Sequence, residues 1–170
     1  MNRGGTDLPS HSDRLHTPGV DMSTGSLGQG ASTAVGLAYA DKLDGRGDRY
    51  TYLVLGDGEI TEGQVWEAAN FAAAHGLGNL IAFVDWNKKQ LDGYISDIND
   101  FSNIAERFAA FGWDAVTVDG HDVAAIADAI ESAKRLDDGR PHCIVLDTIK
   151  GKGCSFVSDA DSNHHVTISA

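Results

Sequence analysis

Short apolar runs alternate along this chain with longer segments in which apolar residues recur every three or four positions. The runs have the length and composition of buried strands, and the longer segments have the period of helices with one apolar face. The predicted strands are 50–55, 80–85, 113–118 and 142–148, and the predicted helices are 31–43, 62–75, 100–111 and 123–135. Strands that alternate with helices form parallel βαβ units with right-handed crossovers. The alternation therefore predicts an α/β fold, a doubly wound and mainly parallel sheet with helices on both faces.

The chain is predicted to be one domain behind a short arm. Residues 1–20 are polar, rich in Gly and Pro and without periodicity, which is typical of an arm rather than of a packed element. Residues 21–170 contain all of the predicted strands and helices. A chain of 170 residues with 42% hydrophobic composition is long and apolar enough to form one core.

The charge and the two cysteines limit the classes of function. The formal net charge of −12 argues against a general nucleic-acid surface, which needs clustered Lys and Arg. It does not exclude phosphate, since backbone N–H groups and a metal ion can neutralise an anion locally. No apolar run reaches membrane-spanning length, so no membrane partner is expected. Cys143 and Cys154 fit neither a redox pair nor a zinc motif, so we expect two free thiols and a cytoplasmic protein.

Two oxygen donors follow neighbouring strands of the predicted sheet. Asp57 stands between two glycines just past the first predicted strand, and Asn87 follows the second. The carboxyl ends of parallel strands meet at one edge of a sheet, where ligands bind. A carboxylate and an amide oxygen at that edge suit Mg²⁺ or Ca²⁺. The alternative is a Gly-Asp-Gly turn and a polar loop residue without a ligand, but the matching positions at two strand ends favour a metal site.

A glycine-rich loop lies before the first predicted helix. Gly25, Gly28 and Gly30 precede the amino end of that helix, where free N–H groups and the helix dipole favour phosphate. Their spacing matches neither the dinucleotide fingerprint nor a Walker loop. Taken alone, the loop is a weak indication of an anion site.

The segments around these loops resemble the thiamine-diphosphate-binding domain of transketolase, in particular the N-terminal subunit of split transketolases. The matching segments are TPGVDMSTGSLGQG (17–30), GDGEITEGQVWEA (56–68), VDWN (84–87), LDG (91–93), DGHD (119–122) and KGKG (150–153). The resemblance covers the chain from about residue 11 to its end. It implies the thiamine-diphosphate-binding fold.

The resemblance also implies a cofactor, thiamine diphosphate, with Mg²⁺ or Ca²⁺ bridging its phosphates. The metal would be held by Asp57, Asn87 and the backbone carbonyl of Lys89. The residues that would line the cofactor are Gly25, Leu27, Gly28, Gly56, Asp57, Gly58 and Asn87.

The reaction implied by the resemblance is the transfer of a two-carbon ketol unit from a ketose phosphate to an aldose phosphate. His11 matches a histidine expected to touch the ketose hydroxyls, and either His164 or His165 matches the histidine that follows the KGKG segment. Imidazoles suit the proton transfers of this reaction because they titrate near neutral pH. Glu62 matches a buried acid at the dimer interface of the family, and its alternative role is a helix N-terminal carboxylate.

A split enzyme implies a partner subunit that carries the pyrimidine-binding domain, and we therefore expect the isolated chain to be inactive. Ser12 stands where the family usually has proline, and Asn163 where it has tryptophan. The family's helical segment before the His11 region has no visible counterpart, as in a fragment, a shortened gene product or a mis-assigned start. An incomplete domain would expose apolar surface, which predicts an oligomer.

Two other kinds of function fit parts of the sequence. A deoxyxylulose-phosphate synthase or a 2-oxo-acid dehydrogenase component would share the cofactor, but the residues of segments 25–30 and 58–68 favour transketolase. A noncatalytic binding or regulatory module would keep the sheet edge only as a scaffold, and the intact Asp57 and Asn87 argue against it. The default substrates are sugar phosphates of the pentose phosphate pathway, and the alternative is a specialised sugar phosphate of a catabolic operon.

Overall fold

The computed structural model describes residues 7–136, 138–160, 163, 164 and 166. The strands are β1 (Thr51–Gly56), β2 (Leu80–Trp86), β3 (Lys89–Gln90), β4 (Gly93–Tyr94), β5 (Asp114–Asp119) and β6 (His142–Asp147). The helices are α1 (Gln29–Leu43), α2 (Gly63–Ala74), α3 (Ile95–Ile98), α4 (Ile104–Ala110), α5 (Val123–Arg135) and α6 (Ser155–Ser158). Within the described ranges, no helix is both long and apolar enough to cross a membrane.

The four longer strands form one parallel sheet in the order β1-β2-β6-β5, and β3 and β4 form a short antiparallel hairpin. Successive side chains on a strand point to opposite faces of the sheet. On one face, α1, α2 and α4 cover the larger core, which includes Leu55, Val84, Phe108, Cys143 and Val145. On the other face, α5 packs against Ile81, Phe83 and Ile144. Helices on both faces of a parallel sheet confirm the predicted α/β fold.

The face covered by α5 is left partly open at β1. Helix α5 packs on β5 and β6, which lie at the other end of the sheet. Tyr52 and Val54 point to this face from β1, and they are 50% and 69% exposed. Within the part of the chain that the structure describes, the sheet therefore presents an exposed apolar surface at β1.

The strand register brings four carboxyl ends to a common edge. Gly56 of β1 lies opposite Asp85 of β2, Trp86 lies opposite Asp147 of β6, and Asp119 of β5 lies opposite the same Asp147. The loops that leave these strands therefore begin level with one another. Ligands of open α/β sheets bind at such an edge.

The predicted elements are all present, and the differences lie at their ends. The predicted helix 100–111 begins only at Ile104, because the preceding Asn103 has a left-handed φ of 60° and Asp100 instead accepts a hydrogen bond from the Ser102 N–H. Trp113 lies before β5 rather than in it, and its indole N–H donates to the Ala69 carbonyl at 2.9 Å. The hairpin β3–β4 and the helices α3 and α6 are additional elements that the sequence does not predict, because two to four residues are too few to show a period.

The polar arm is hydrogen-bonded to the rest of the protein. Residues 7–20 contain no helix or strand. The Ser12 hydroxyl lies 2.8 Å from the Thr24 hydroxyl, and the Arg14 N–H donates to the Ser23 hydroxyl at 3.0 Å. These contacts hold the arm beside the glycine-rich loop.

Cys143 and Cys154 are both free thiols, as predicted. Cys143 lies fully buried in β6, and burial raises the pKa of its thiol. Cys154 is only half-buried and lies just before α6.

We expect one thiol to react with a water-soluble disulfide reagent in the folded protein and two after unfolding, because Cys143 is neither ionised nor accessible. Fast reaction of both thiols in the folded protein would contradict this packing.

Asn79 joins the first helix to the sheet and provides a test of the fold. It is 5% exposed, and its side-chain amide donates to the Ala38 carbonyl of α1 at 3.0 Å. Asn79→Ala should lower the free energy of unfolding by about 1–3 kcal/mol, because the buried hydrogen bond between the Asn79 side chain and α1 is lost. Urea denaturation measures this loss. The matched control is Asn70→Ala on the exposed side of α2, and equal losses in the two variants would contradict the role of Asn79.

Candidate functional site

The loops after β1 and β2 meet over the Asp57 side chain. Asp57 is 2% exposed. One carboxylate oxygen accepts the Gly58 N–H at 2.8 Å, and the other accepts the Lys88 N–H at 2.6 Å. Lys88 has a left-handed φ of 68°, an uncommon conformation for a residue with a side chain. The Asp57 carboxylate therefore fixes the path of the loop that follows β2.

Burial has the largest effect on the Asp57 carboxylate and raises its pKa above the usual value. The two backbone N–H groups lower this pKa in part, the charge of Asp85 raises it and the charge of Lys150 lowers it. An ionised carboxylate is disfavoured in such an environment unless a cation lies close to it. Oxygen lone pairs remain on the carboxylate after two hydrogen bonds. Asp57 is therefore suited to bind a cation.

Asn87 is held with its amide oxygen and nitrogen in fixed positions. Its amide nitrogen donates to the Asp85 carboxylate at 3.1 Å, and its amide oxygen accepts the Lys89 N–H at 3.0 Å. Asp85 is itself fixed by the Thr148 hydroxyl, which donates to the second carboxylate oxygen. Such outer contacts orient a ligand before it binds an ion.

The donors at this edge fit a hard divalent ion. Asp57 offers a carboxylate oxygen, Asn87 an amide oxygen and Lys89 a backbone carbonyl. Mg²⁺ and Ca²⁺ prefer such ligands and complete their shells with phosphate oxygens and water. Among the described residues, no group of three His, Cys, Asp or Glu side chains could hold a metal. The described part of the chain therefore gives no alternative site built from such side chains.

Lys150 reaches the same edge from the loop after β6. Its ammonium donates to the Lys89 carbonyl at 3.2 Å and lies 2.9 Å from Nδ1 of His164. Burial lowers the pKa of Lys150, and the charges of Asp57 and Asp85 raise it in part. Lys150 is therefore a cation whose charge acts on Asp57 and Asp85 at this edge, whereas Lys88 pairs with Asp147.

Glu59 links the glycine-rich loop to the end of β1. One of its carboxylate oxygens accepts the Gly28 N–H at 2.9 Å, and the other accepts the Gly56 N–H at 3.2 Å. Gly28 precedes α1 with a left-handed φ of 83°, and a β-carbon there would lie 3.2 Å from Cβ of Glu62. The N–H groups of both glycines are thus already bound by Glu59. What Gly28 contributes is its conformation and its close approach to Glu62.

The other predicted site residues of the arm and of the glycine-rich loop lie beside an open cleft of about 630 Å³. Its walls include His11, Thr24 and Gly25, so the arm and the glycine-rich loop form one surface. Gly25 has a φ of 150°, and a β-carbon there would collide with the His11 ring. Leu27 is 55% exposed next to this loop.

Within the described part of the chain, the predicted catalytic residues have different neighbours. His11 is exposed on the wall of the cleft, whereas His164 lies beside Lys150. Glu62 is exposed at the position before α2, and among the described residues no side-chain hydrogen bond caps that helix. His165 lies outside the described residues.

Sequence reasoning missed Glu59, Asp85, Thr148 and Lys150. Glu59 lies three residues after Gly56, so its turn contact is a local one that the spacing permits. Asp85, Thr148 and Lys150 act across strands, and only the register of β2 and β6 places them together. The KGKG segment drew attention to Lys150 without indicating its contact with Lys89.

Replacing one oxygen of the Glu59 carboxylate tests whether Glu59 holds the glycine-rich loop and the end of β1 together. Glu59→Gln should lower the free energy of unfolding by about 1–3 kcal/mol, because one backbone N–H would face an amide N–H instead of an acceptor. Thermal or urea unfolding measures the change. Glu67→Gln, on the exposed side of α2, is the matched control. Two variants of equal stability would show that Glu59 does not brace the loops.

A family model for the thiamine diphosphate binding domain of transketolase matches residues 3–170. The 6-deoxy-6-sulfo-D-fructose transketolase subunit SqwG of a Clostridium species is 48% identical over 168 residues, which are 99% of this chain and 60% of the relative. An apulose-4-phosphate transketolase subunit of Actinobacillus succinogenes is 41% identical over 158 residues, 93% of this chain and 56% of the relative. The chain thus spans less than two thirds of the length of these two relatives.

Solved transketolases share the fold. The enzyme of Pichia stipitis, in complex with sedoheptulose 7-phosphate, matches with a TM-score of 0.78 at 36% identity, over 86% of this chain and 23% of that one. The enzyme of Campylobacter jejuni matches with a TM-score of 0.75 at 32% identity, over the same two shares. Together with the family match over residues 3–170, these likenesses show that the chain belongs to the transketolase family, as a thiamine-diphosphate-binding domain.

Proposed function

We propose that this chain is the subunit of a split transketolase that holds the diphosphate and metal of thiamine diphosphate. The observation that carries the proposal is the buried Asp57 carboxylate at the ends of β1 and β2, next to the fixed amide of Asn87. The relatives and structures named above are transketolases or transketolase subunits. This favours ketol transfer over the reactions of other thiamine enzymes.

The proposed roles of the residues follow from their positions. Asp57, Asn87 and the Lys89 carbonyl would bind Mg²⁺ or Ca²⁺. The loop before α1 would lie against the cofactor at Gly25 and Leu27, and the loop after β1 would do so at Gly58. When bound, thiamine diphosphate supplies the nucleophilic carbon that accepts a two-carbon ketol unit.

The histidines would contact the sugar and exchange protons with it. His11 faces the cleft, where it can donate to a sugar hydroxyl and exchange a proton with it. His164 lies close to Lys150, at the sheet edge that carries the proposed metal donors. His164 or His165 would take part in proton transfer at that position. Neither position is enclosed by the described part of this chain alone.

A partner subunit would complete the site. The two relatives are named as subunits, and this chain spans 60% and 56% of their lengths. We propose a partner that carries the pyrimidine-binding domain, in an oligomer that covers the exposed Glu62. The isolated chain should therefore show no ketol transfer.

The substrate is proposed to be a ketose with a terminal anionic group. One relative is named for a sulfonated fructose and the other for apulose 4-phosphate, and both names describe anionic sugars. Pentose phosphates belong to the same chemical class. The two free thiols suit a cytoplasmic enzyme.

Cofactor binding by an Asp57 variant tests the proposal. Asp57→Ala should weaken the binding of thiamine diphosphate in the presence of Mg²⁺ by about 100-fold, a loss of about 3 kcal/mol for one charged ligand. Isothermal titration calorimetry of the chain with its partner subunit measures the affinity. Asp57→Asn, which keeps the side-chain shape, distinguishes loss of the charge from loss of the fold.

Asp48→Ala is the matched control, because Asp48 is exposed before β1 at the opposite edge of the sheet. Its affinity should equal that of the unchanged protein. Binding heat that persists in Asp57→Ala would contradict the metal assignment. Ketol transfer by the isolated chain would contradict the need for a partner.

A further inference from the structure

Side-chain hydroxyl groups join the arm to the glycine-rich loop. The Thr24 N–H donates to the Ser12 hydroxyl oxygen at 3.1 Å, and the hydroxyl oxygens of Ser12 and Thr24 lie 2.8 Å apart. Two residues further along the arm, the Arg14 N–H donates to the Ser23 hydroxyl at 3.0 Å. Within the described ranges, no backbone–backbone hydrogen bond connects the arm to this loop. The position of the arm therefore depends on these hydroxyl groups.

Thr24 is itself held by the amino end of α1. A β-carbon at Gly30 would lie 3.3 Å from the Thr24 methyl carbon, so this methyl group packs closely against the helix. Rotation about χ1 is restricted in a β-branched side chain, and a methyl group held in one direction also fixes the direction of the hydroxyl on the same carbon. The Thr24 hydroxyl is therefore a fixed partner for Ser12.

The His11 ring, next to Ser12 in the chain, packs against the same loop. It lies so close to Gly25 that a β-carbon there would collide with it. The Ser10 hydroxyl lies 3.3 Å from Nδ1 of the ring. This is the one hydrogen bond of the ring within the described part of the chain, so Nε2 is available to a sugar hydroxyl.

We propose that Ser12 is a positioning residue for ketol transfer. Its contact with Thr24 holds the arm on the glycine-rich loop and thereby holds the His11 ring against Gly25, on the wall of the cleft. The inference rests on the proposed function, in which His11 contacts the sugar. Ser12 stands where the family usually has proline, which has no hydroxyl. The contact therefore arises at a position where this chain departs from the family pattern.

The consequence is that the imidazole is oriented before a sugar binds. A group that transfers a proton must lie within hydrogen-bond reach of its partner, and a misplacement of about 1 Å can cost about 100-fold in rate. An arm without its contact to Thr24 would let the ring leave Gly25 for part of the time. One hydrogen bond contributes enough free energy to change such a population about threefold to tenfold.

Nuclear magnetic resonance of the chain measures the ring position directly. A nuclear Overhauser effect should connect the His11 proton on Cδ2 with the Gly25 α-protons. Ser12→Ala should reduce its intensity about threefold or more, because the arm loses its contact with Thr24. Ser12→Thr, which keeps a hydroxyl, should retain the intensity.

Thr17→Val is the matched control. The Thr17 hydroxyl donates to the Asp7 carbonyl at 2.6 Å, so this variant also removes a hydroxyl hydrogen bond, but one that stays within the arm. The nuclear Overhauser effect should keep its intensity in this variant. Unfolding curves establish that each variant is folded.

Kinetics of the chain with its partner subunit test the link to the reaction. Ser12→Ala should lower kcat/KM for the ketose donor about threefold to tenfold, and Thr24→Val should do the same without further loss in the double variant. In a His11→Ala background, Ser12→Ala should cause no additional loss, since Ser12 acts through that ring. A general loss of stability would not produce this coupling.

The outcomes that contradict the inference are distinct from failure of the proposed function. If the unchanged complex transfers ketol units and Ser12→Ala matches Thr17→Val in kcat/KM, Ser12 has no positioning role and the proposed function stands. An equal loss from Ser12→Ala with and without the His11 ring would also overturn the role, as would an unchanged nuclear Overhauser effect. If the unchanged complex transfers no ketol unit, the proposed function is wrong and the inference fails with it.

Discussion

The hydrogen bond from the Lys88 N–H to the Asp57 carboxylate, 2.6 Å long, joins the loops that leave two neighbouring strands. It holds Lys88 in a left-handed conformation, after which the chain enters the β3–β4 hairpin. The same loop presents the Asn87 amide and the Lys89 carbonyl. One buried carboxylate thus organises the other two proposed donors, and two backbone N–H groups and the charge of Lys150 partly offset the cost of burying it.

Glu59 connects this edge to the rest of the site by a different means. Its two carboxylate oxygens bind N–H groups from two separate loops, at Gly28 and Gly56. Bidentate acceptance of this kind fixes a distance as well as a contact. The amino end of α1 therefore keeps its position relative to the end of β1, and the glycine-rich loop is held beside the metal donors.

The parts of the site that the sequence predicted are those that depend on topology. Asp57 and Asn87 could be placed together because parallel strands bring their carboxyl ends to one edge, and the apolar runs marked those strands. Glu59 and Lys150 could not be placed, because their partners are set by loop paths and by which carboxylate a long side chain reaches. Hydrophobic periods also cannot detect strands as short as β3, and so the hairpin after Asn87 was missed.

The proposed metal position and the proposed sugar position make opposite demands on this domain. An ion needs rigid donors, and Asp57 is buried to 2% exposure with both oxygens already bonded. A sugar must enter and leave, and His11, the residue proposed to contact it, lies exposed on an open cleft. Closing such a site over its substrate expels water, which strengthens the electrostatic interactions inside it and prevents side reactions. This domain supplies rigid donors for an ion but leaves the cleft for the sugar open. A second subunit would have to cover that cleft, which is the physical reason to expect this site at an interface between subunits.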